Sequence, residues 1–455
     1  MRHLLSLALT LLIAIPAVGQ ERLSVNYQQF ELDNGLTVVL HQDRSAPVLA
    51  TSIWYHVGSA NERPGRTGFA HLFEHIMFEG SANVPEGKID EWFEEVGGSP
   101  NGSTNSDRTN YLQQFSSNAL DLALFIESDR MAYLLEAMTP ETVDGQRGVV
   151  QNERRQSYEN RPYGLAWETL GEALYPEGHP YHWPVIGYMA DLEAASYEDV
   201  VHFFETYYVP NNTTLSIAGD LDYDEARTLV EKWFSEIPRG EEARPLEAST
   251  PPLTGETRLL LEDQVQLPRL YMAWLTPPSF APGDAEMTLL GELLTRGKNS
   301  RLYQRLVYDL QIADDVAAFQ SSSLLSSEFM LYATARSGHT LDELQLAIDR
   351  EIERLKFEPA SDREVQRILN GYETAFYERL ESVLTRADLM AAYEFYTGNP
   401  DYFEEDLARF RALDGGDLSA AARRFLPLDR RVVLSIVPEG STDLAAAGSL
   451  PVDKR

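Results

Sequence analysis

The sequence predicts two similar α+β halves joined by an exposed linker, and three observations lead to this fold class. Strand and helix patterns alternate along the chain, the segment 238–257 is rich in proline and charge with no apolar period, and a similar order of elements returns after it. The 455 residues, 43% of them hydrophobic, are enough to fill more than one core. We therefore expect a globular protein with domains over 20–237 and 258–445, the linker 238–257 and a short tail at 446–455.

The first half opens with a hairpin pattern, because Asn34 and Gly35 separate two apolar segments in FELDNGLTVVL at 30–40. VLATSIWYHV at 48–57 predicts a buried strand, and a glycine-rich connection then leads into an apolar helix beginning near Phe69. Further elements of this half are predicted from periodicity: helices at 119–138 and 197–208, and a strand ending in a turn in TTLSIAGDLD.

The second half repeats this order. LYMAWL at 270–275 predicts a strand, AEMTLLGELLT at 285–295 a helix, and RVVLSIV at 431–437 a closing strand that resembles TTLSIAG of the first half. No histidine occurs between His202 and His339. We therefore expect two related halves of which only the first carries metal chemistry.

The first 19 residues are typical of an export signal. Arg2 and His3 precede an apolar run over 4–15, and small residues follow up to Gly19, after which we expect cleavage. The run is shorter than the roughly 20 residues that span a bilayer, so a membrane anchor is the weaker interpretation. Without a cysteine after the run, lipoprotein attachment is excluded, and a periplasmic or secreted protein is predicted.

Composition narrows the possible chemistry. The chain has no cysteine, which excludes disulfides, thiolate metal sites and cysteine nucleophiles, and leaves His, Asp and Glu as the strong metal ligands. A formal charge of −33 argues against nucleic acid as a partner, because a phosphate backbone needs a basic surface.

The motif HLFEH at 71–75 carries the chemical prediction. His71 and His75 are four residues apart, so on a helix both imidazoles project from one face and can bind one ion. Glu74 stands where it can take a proton from a water molecule, as the glutamate of the HExxH signature does in the opposite order. The alternative is a helix with ordinary histidines and a surface carboxylate. Two of only nine histidines at this spacing favour a zinc site with one ion per chain.

A catalytic zinc needs a third protein ligand, and spacing alone does not identify it. Four acidic residues fall in or near a predicted helix around 149–150, and each could equally be a solvated carboxylate. They are Glu141, Asp144, Glu153 and Glu159.

Four segments together resemble the pitrilysin/insulinase family of inverted-zincin metallopeptidases, which includes the mitochondrial processing peptidases. They are NGLTVVL, GSANERPGRTGFAHLFEHIMFEGS, NGSTNSDRTNY and GVVQNERRQ. The resemblance implies a zinc endopeptidase in which Glu74 is the catalytic base. It also implies that each half is an antiparallel-rich sheet packed with helices, and that the chain forms half of a four-domain clamshell. In the family's Val-Val-x-x-Glu pattern the third ligand falls on Glu153.

The resemblance implies roles for three more residues. Gln146 stands seven positions before Glu153, where the family often has an acidic residue that supports the site; an amide there adds no charge. The segment 101–115 is similar to the family's substrate-binding edge strand, and Asn101 and Thr104 are its expected contacts with peptide. By its residues alone that segment would be a polar loop.

One departure from the family concerns partners. Complete members carry an Arg and a Tyr in the second half that reach the bound peptide, and the aligned residues here are Val307 and Asp314. We therefore expect a homologous subunit that lacks HxxEH but carries this pair, with a homodimer as the alternative. Two other classes stay open: a catalytically silent structural or peptide-holding subunit, and a periplasmic chaperone with a structural zinc.

Overall fold

The computed structural model describes residues 23–452, which form two six-stranded mixed sheets with helices packed on them. The predicted export signal lies outside the described residues. The strands of the first sheet are β1 (Tyr27–Glu31), β2 (Thr37–Gln42), β3 (Val48–Tyr55), β4 (Ser99–Thr104), β5 (Thr109–Ser116) and β6 (Thr213–Gly219). Those of the second are β7 (Thr257–Asp263), β8 (Arg269–Thr276), β9 (Ala313–Ser321), β10 (Ser327–Ala335), β11 (Val432–Pro438) and β12 (Leu450–Pro451).

The α-helices are distributed over both halves of the chain. Those before the linker are α1 (Phe69–Ile76), α2 (Lys88–Glu95), α3 (Leu120–Ala137), α4 (Pro140–Arg154), α5 (Ala166–Leu174), α6 (Met189–Ala194), α7 (Tyr197–Tyr207) and α8 (Tyr223–Phe234). Those after it are α9 (Asp284–Thr295), α10 (Leu341–Phe357), α11 (Asp362–Glu381), α12 (Val383–Thr397), α13 (Phe403–Arg411) and α14 (Gly415–Phe425). No helix within residues 23–452 is long and apolar enough to cross a membrane.

The two sheets share one topology. The first has the order β1-β2-β6-β3-β5-β4 and the second β12-β7-β11-β8-β10-β9, so β6 and β11 hold the same place, as do the edge strands β4 and β9. β2 runs parallel to β6 and β7 parallel to β11, while β3 and β8 pair antiparallel with both neighbours. The prediction of two similar halves with antiparallel-rich sheets is therefore confirmed.

The elements predicted from local pattern are present. β1 and β2 pair antiparallel across the Asn34 and Gly35 turn, in which Gly35 has a φ of 92°, a value that favours glycine. β3, β6, β8 and β11 match the four predicted strands, and α1, α3, α7 and α9 match the predicted helices. No helix or strand occurs between the end of α8 and the start of β7, where the linker is predicted.

The C-terminal end differs from its prediction as a tail. Leu450 and Pro451 form β12, which pairs parallel with β7, and the Val452 N–H donates to the Leu260 carbonyl oxygen at 3.0 Å. The predicted tail therefore includes an edge strand of the second sheet. Two residues are too short to show the period that would reveal a strand in sequence.

The two halves exchange helices. α12, from the second half, packs on β3 and β6 of the first sheet, where its Val383 and Ala387 contact Ala50 and Ala218. α5, from the first half, packs on β8 and β11 of the second sheet. Central strands that are buried along their length need cover on both faces, and each sheet covers its second face with a helix from the other half.

Candidate metal centre

α1 and α4 bring the three predicted ligands together. His71 and His75 are one turn apart on α1, with ring centroids 4.9 Å apart, and Glu153 is in the last turn of α4. The Glu153 Oε2 lies 3.7 Å from the His71 Nε2 and 3.3 Å from the His75 Nε2. One ligand atom from each residue falls within 4.8 Å of the other two, which is the spacing of a metal centre.

The other acidic candidates lie elsewhere. Glu141 is exposed in the first turn of α4, and Asp144 pairs with Arg147 at 2.6 Å. Glu159 lies 3.5 Å from the Arg154 Nε. Within residues 23–452, no second group of three His, Asp or Glu side chains has comparable spacing.

The pKa shifts of His71 and Glu153 favour the protonation states that a metal requires. Burial lowers the pKa of His71, although the Glu153 carboxylate opposes this. The hydrogen bond from His75 lowers the pKa of Glu153. Neutral imidazoles and an ionised carboxylate are what zinc binds, and two nitrogens with one oxygen are a donor set that suits it. The residues therefore fit a zinc ion with one coordination position left open.

One acidic and one basic residue that the sequence did not point to, Glu62 and Arg154, hold the ligand helices in place. Glu62 accepts hydrogen bonds from the Gly68 and Ala70 N–H groups at 2.9 and 2.8 Å, so it binds the otherwise free N–H groups at the start of α1. Arg154, which follows Glu153, is 2% exposed. Its guanidinium donates to both Glu168 carboxylate oxygens, at 2.9 and 3.1 Å.

The Arg154 guanidinium is also linked to the start of α1, through the backbone of Gly187. Arg154 donates to the Gly187 carbonyl oxygen at 2.9 Å. Gly187 packs so closely on Gly68 that a Cβ at Gly187 would lie 2.5 Å from the Gly68 Cα. Gly68 is the residue before α1 and has a φ of 90°, which favours glycine. In sequence, Arg154 belongs to an ordinary charged run, and only the long-range partners give it a role.

Glu74 faces the edge strand β4. A Cβ at Gly102 would lie 3.1 Å from the Glu74 Cγ, so glycine gives the carboxylate room beside the strand. Within residues 23–452, no group hydrogen-bonds the Glu74 carboxylate. The carboxylate oxygens of this half-buried side chain are therefore available to hydrogen-bond a water molecule.

The predicted substrate contacts both lie on β4, at the edge of the first sheet. Asn101 is exposed, and its Oδ1 accepts a hydrogen bond from the Gly102 N–H at 2.9 Å. Thr104 lines a pocket of about 410 Å³ together with His71 and Glu153. The unpaired side of β4 is therefore next to the candidate metal centre.

Gln146 reaches the metal centre indirectly. Its Nε2 donates to the Glu79 Oε1 at 2.6 Å, and within residues 23–452 its side chain has no hydrogen bond to Glu153. Burial and the Glu86 carboxylate raise the pKa of Glu79, while the nearby His75 opposes this. The acidic group near His75 is therefore Glu79, which follows the C-terminal end of α1.

Val307 and Asp314 have structural contacts in the second half. Val307 lies in a π-helical segment, Tyr303–Asp309, and packs against the second core. Asp314 lies near the start of β9 and pairs with Arg336 at 3.0 Å. The alignment of these two residues with the Arg and Tyr of other proteins stays a prediction.

Comparison with protein families gives two matches. Residues 37–179 match the model described as insulinase (peptidase family M16), and residues 194–372 match the model of the peptidase M16 inactive domain. Together they cover more than half of the chain. The candidate ligands all fall in the first match, and the second match covers much of the half without them.

Individual relatives agree with these matches. The chain is 28% identical over 397 residues to the zinc protease PqqE of Helicobacter pylori, covering 86% of this chain and 89% of that protein. It is 23% identical to a probable mitochondrial-processing peptidase subunit beta of Arabidopsis thaliana, covering 89% and 77%. The crystal structure of a protease from Helicobacter pylori matches with a TM-score of 0.86 and 26% identity, covering 91% of this chain and all of that one. From the two matched domains, these relatives and the shared architecture, the chain belongs to the insulinase (M16) family of peptidases.

Proposed function

We propose that this chain is a zinc-dependent endopeptidase that hydrolyses unfolded proteins or peptides outside the cytoplasm. The observation that carries the proposal is the convergence of His71, His75 and Glu153 beside a free carboxylate, Glu74, and an unpaired strand edge. Zinc proteases among the relatives support the same chemistry.

The mechanism follows from the placement of these groups. A bound zinc ion would supply Lewis acidity, which polarises the scissile carbonyl and makes water more acidic. Glu74 accepts the proton of the attacking water and returns it to the leaving amine nitrogen. His71, His75 and Glu153 would hold the metal, while Glu62 and Arg154 fix the positions of α1 and α4 relative to each other.

The substrate class follows from β4. An extended peptide can add to this edge as a further strand, through main-chain hydrogen bonds that need no particular side chain. Asn101 and Thr104 flank the stretch where the peptide would pass Glu74 and Gly102. A folded protein offers few free extended segments, so it should be a poor substrate.

The second candidate is a catalytically silent subunit of the same family. Val307 and Asp314, where the family's Arg and Tyr are expected, favour it. The complete donor set and Glu74 favour the peptidase, because a subunit that only holds peptide needs neither.

The decisive experiment combines metal analysis with peptide cleavage. The mature wild type should contain one zinc and cut an unstructured peptide faster than a folded protein, whereas Glu74→Gln should keep the zinc and lose roughly 10²- to 10⁴-fold in kcat. Glu198→Gln, an exposed carboxylate on α7, is the matched control. A zinc-loaded wild type without cleavage, alone and with a homologous subunit, would favour the silent subunit. Near-parental turnover of Glu74→Gln would remove Glu74 from the mechanism.

The location is proposed from the N-terminal sequence, with cleavage after Gly19. N-terminal sequencing of the protein from a periplasmic or secreted fraction should begin at Gln20. An intact Met1 in the cytoplasmic fraction would contradict export.

A further inference from the structure

The second half of the chain forms one wall of the pocket at the metal centre. The pocket that contains His71 and Glu153 is also lined by residues 104–106 of the first half and by residues 321–323 of the second. Residue 321 ends β9, and the next two begin the turn to β10. β9 occupies the place in the second sheet that β4 occupies in the first, so corresponding turns of the two halves meet over the site.

A buried carboxylate ties these two turns together. Asp107, in the turn after β4, is 3% exposed. Its Oδ2 accepts a hydrogen bond from the Leu324 N–H at 2.8 Å, and its Oδ1 accepts one from the Tyr181 hydroxyl. The Tyr181 oxygen in turn accepts from the Leu325 N–H at 3.0 Å. Two consecutive backbone donors of the second-half turn are thus bound by the first half.

The wall has a defined chemistry. The second half lines the pocket with three serines, at 321–323, and the first half lines it with Thr104, Asn105 and Ser106. Apart from His71 and Glu153, no lining side chain is charged, and the remaining ones are Tyr158, Val185 and Ile186. Hydroxyl and amide groups of a substrate side chain would find hydrogen-bond partners on these walls, whereas a large apolar side chain would bury the wall's polar groups without partners.

We propose that residues 104–106 and 321–323 form a subsite for one substrate side chain next to the scissile bond, with a preference for small or uncharged polar side chains. Asp107 is the positioning residue that holds its second-half wall. The proposal rests on the proposed peptidase function. It assigns part of the specificity to the half that carries no metal ligand.

The first test fills the subsite. Ser321 is exposed and has no side-chain hydrogen bond within residues 23–452, so Ser321→Leu should fold normally. We expect its kcat/KM to fall about tenfold for peptides with Gln or Asn at the preferred position and less for peptides with Ala. Thr442→Leu, the same kind of change at an exposed site of the second half outside the pocket, should match the wild type.

Each outcome of this test separates the two proposals. A full-length wild type that binds zinc and cuts peptides, with the same side-chain profile in Ser321→Leu, would overturn the subsite and leave the peptidase function intact. A wild type without zinc or cleavage would instead refute the function itself. A changed profile with unchanged zinc content supports the subsite.

The second test loosens the wall. Asp107→Asn keeps the volume, but an amide has only one acceptor oxygen for three donors, the Leu324 N–H and the hydroxyls of Tyr181 and Tyr396. At least one of these hydrogen bonds is therefore lost or reversed. We expect KM to rise about fivefold and the side-chain preference to weaken, with zinc content unchanged. Tyr181→Phe removes the same tether from its other end and should weaken the preference in the same way. Lower stability with an unchanged profile in both variants would show that Asp107 is only structural.

Discussion

At the residue scale, the candidate metal centre is supported by side chains outside the ligand group. The hydrogen bond from His75 lowers the pKa of the Glu153 carboxyl, and the neighbouring Arg154 is buried against Glu168. Removing one partner of such a buried pair leaves an uncompensated charge, which is costly. We therefore expect zinc binding to depend on Arg154 and Glu168 as well as on the three ligands.

The ligand assignment gives a direct prediction. Glu153→Ala removes the oxygen that faces both imidazoles, so zinc affinity should fall by about 100-fold or more. His71→Ala and His75→Ala should lose zinc as well. Glu159→Ala is the control, because Glu159 lies beside Arg154 and is not within the ligand group. Stoichiometric zinc in Glu153→Ala, measured after dialysis, would move the third ligand to another carboxylate, with Glu159 next.

A second prediction tests whether the Glu74 carboxylate needs the space that Gly102 leaves on β4. In Gly102→Ala the new methyl would lie 3.1 Å from the Glu74 Cγ and 3.2 Å from the Phe78 Cε2, so the carboxylate must shift. We expect peptidase activity to fall on the order of tenfold with the fold retained, because small displacements of a catalytic group are costly.

The matched control for Gly102→Ala is Gly145→Ala on α4, where a Cβ meets nothing within 4 Å. Helix propensity should make this control more stable by about 0.5–1 kcal/mol, with activity unchanged. Urea unfolding and peptide cleavage measure both variants. Equal activity of Gly102→Ala and the wild type would show that Glu74 has more room than its contacts indicate.

At the element scale, α12 is the main connection between the halves on the face of the first sheet away from the metal. Its Asp388 accepts hydrogen bonds from the Ser52 hydroxyl at 3.0 Å and the Trp54 Nε1 at 2.7 Å. Its Arg386 donates to Asp43, which follows β2. The predicted linker therefore does not divide the protein into two independent cores, and the domain limits stay a prediction.

The Asp43 contact predicts a pH dependence of stability. Burial raises the pKa of Asp43, but hydrogen bonds from Ser45 and Arg386 outweigh it and lower the pKa to about 2. A lowered carboxyl pKa stabilises the folded state above the ordinary value of 3.8, and this contribution is lost as the pH falls towards 2.

Asp43→Asn should therefore be less stable than the wild type at pH 7, by about 1 kcal/mol after allowing for solvent screening, and the difference should shrink between pH 4 and 2. Urea unfolding at several pH values measures this, with the exposed Asp33→Asn as control. A difference that persists unchanged at pH 2 would show that the contact with Arg386 does not depend on the charge of Asp43.

At the scale of the whole molecule, residues 23–452 contain one candidate metal centre, and the edge strand β4 lies beside it. The chain's resemblance to the family implies half of a clamshell, and we propose that a second subunit supplies the facing half. A homodimer would repeat Val307 and Asp314, whereas a homologous subunit without HxxEH could bring the Arg and Tyr. The heterodimer is therefore the preferred hypothesis.

This hypothesis predicts complementation. The chain alone should turn over peptide slowly, and adding the homologous exported subunit should raise kcat/KM by at least about tenfold, because the added groups hold the substrate main chain. Mass measurement of the mixture should give a one-to-one complex. The control is the Glu74→Gln chain with the same partner, which should form the complex without turnover. Full activity of the lone chain, unchanged by the partner, would refute complementation.

The sequence alone was sufficient for the local features. The hairpin at Asn34 and Gly35, the strands of the two halves and the pairing of His71 with His75 on one helix face all follow from interactions over a few residues. The similarity of the two halves could also be predicted from the sequence, because equivalent strands have similar apolar patterns.

Only the tertiary structure decided which distant groups meet. From spacing, Glu141, Asp144, Glu153 and Glu159 were equal candidates, and the packing of α4 on α1 brings Glu153 alone to the histidines. The exchange of helices between the halves and the second-half wall of the pocket could not be predicted from sequence either, because the periodicity of a helix does not indicate which sheet it will cover. The periodicity of a helix or a strand arises from local backbone geometry. These contacts instead join segments far apart in the chain, and they depend on how helices pack on the two faces of each sheet.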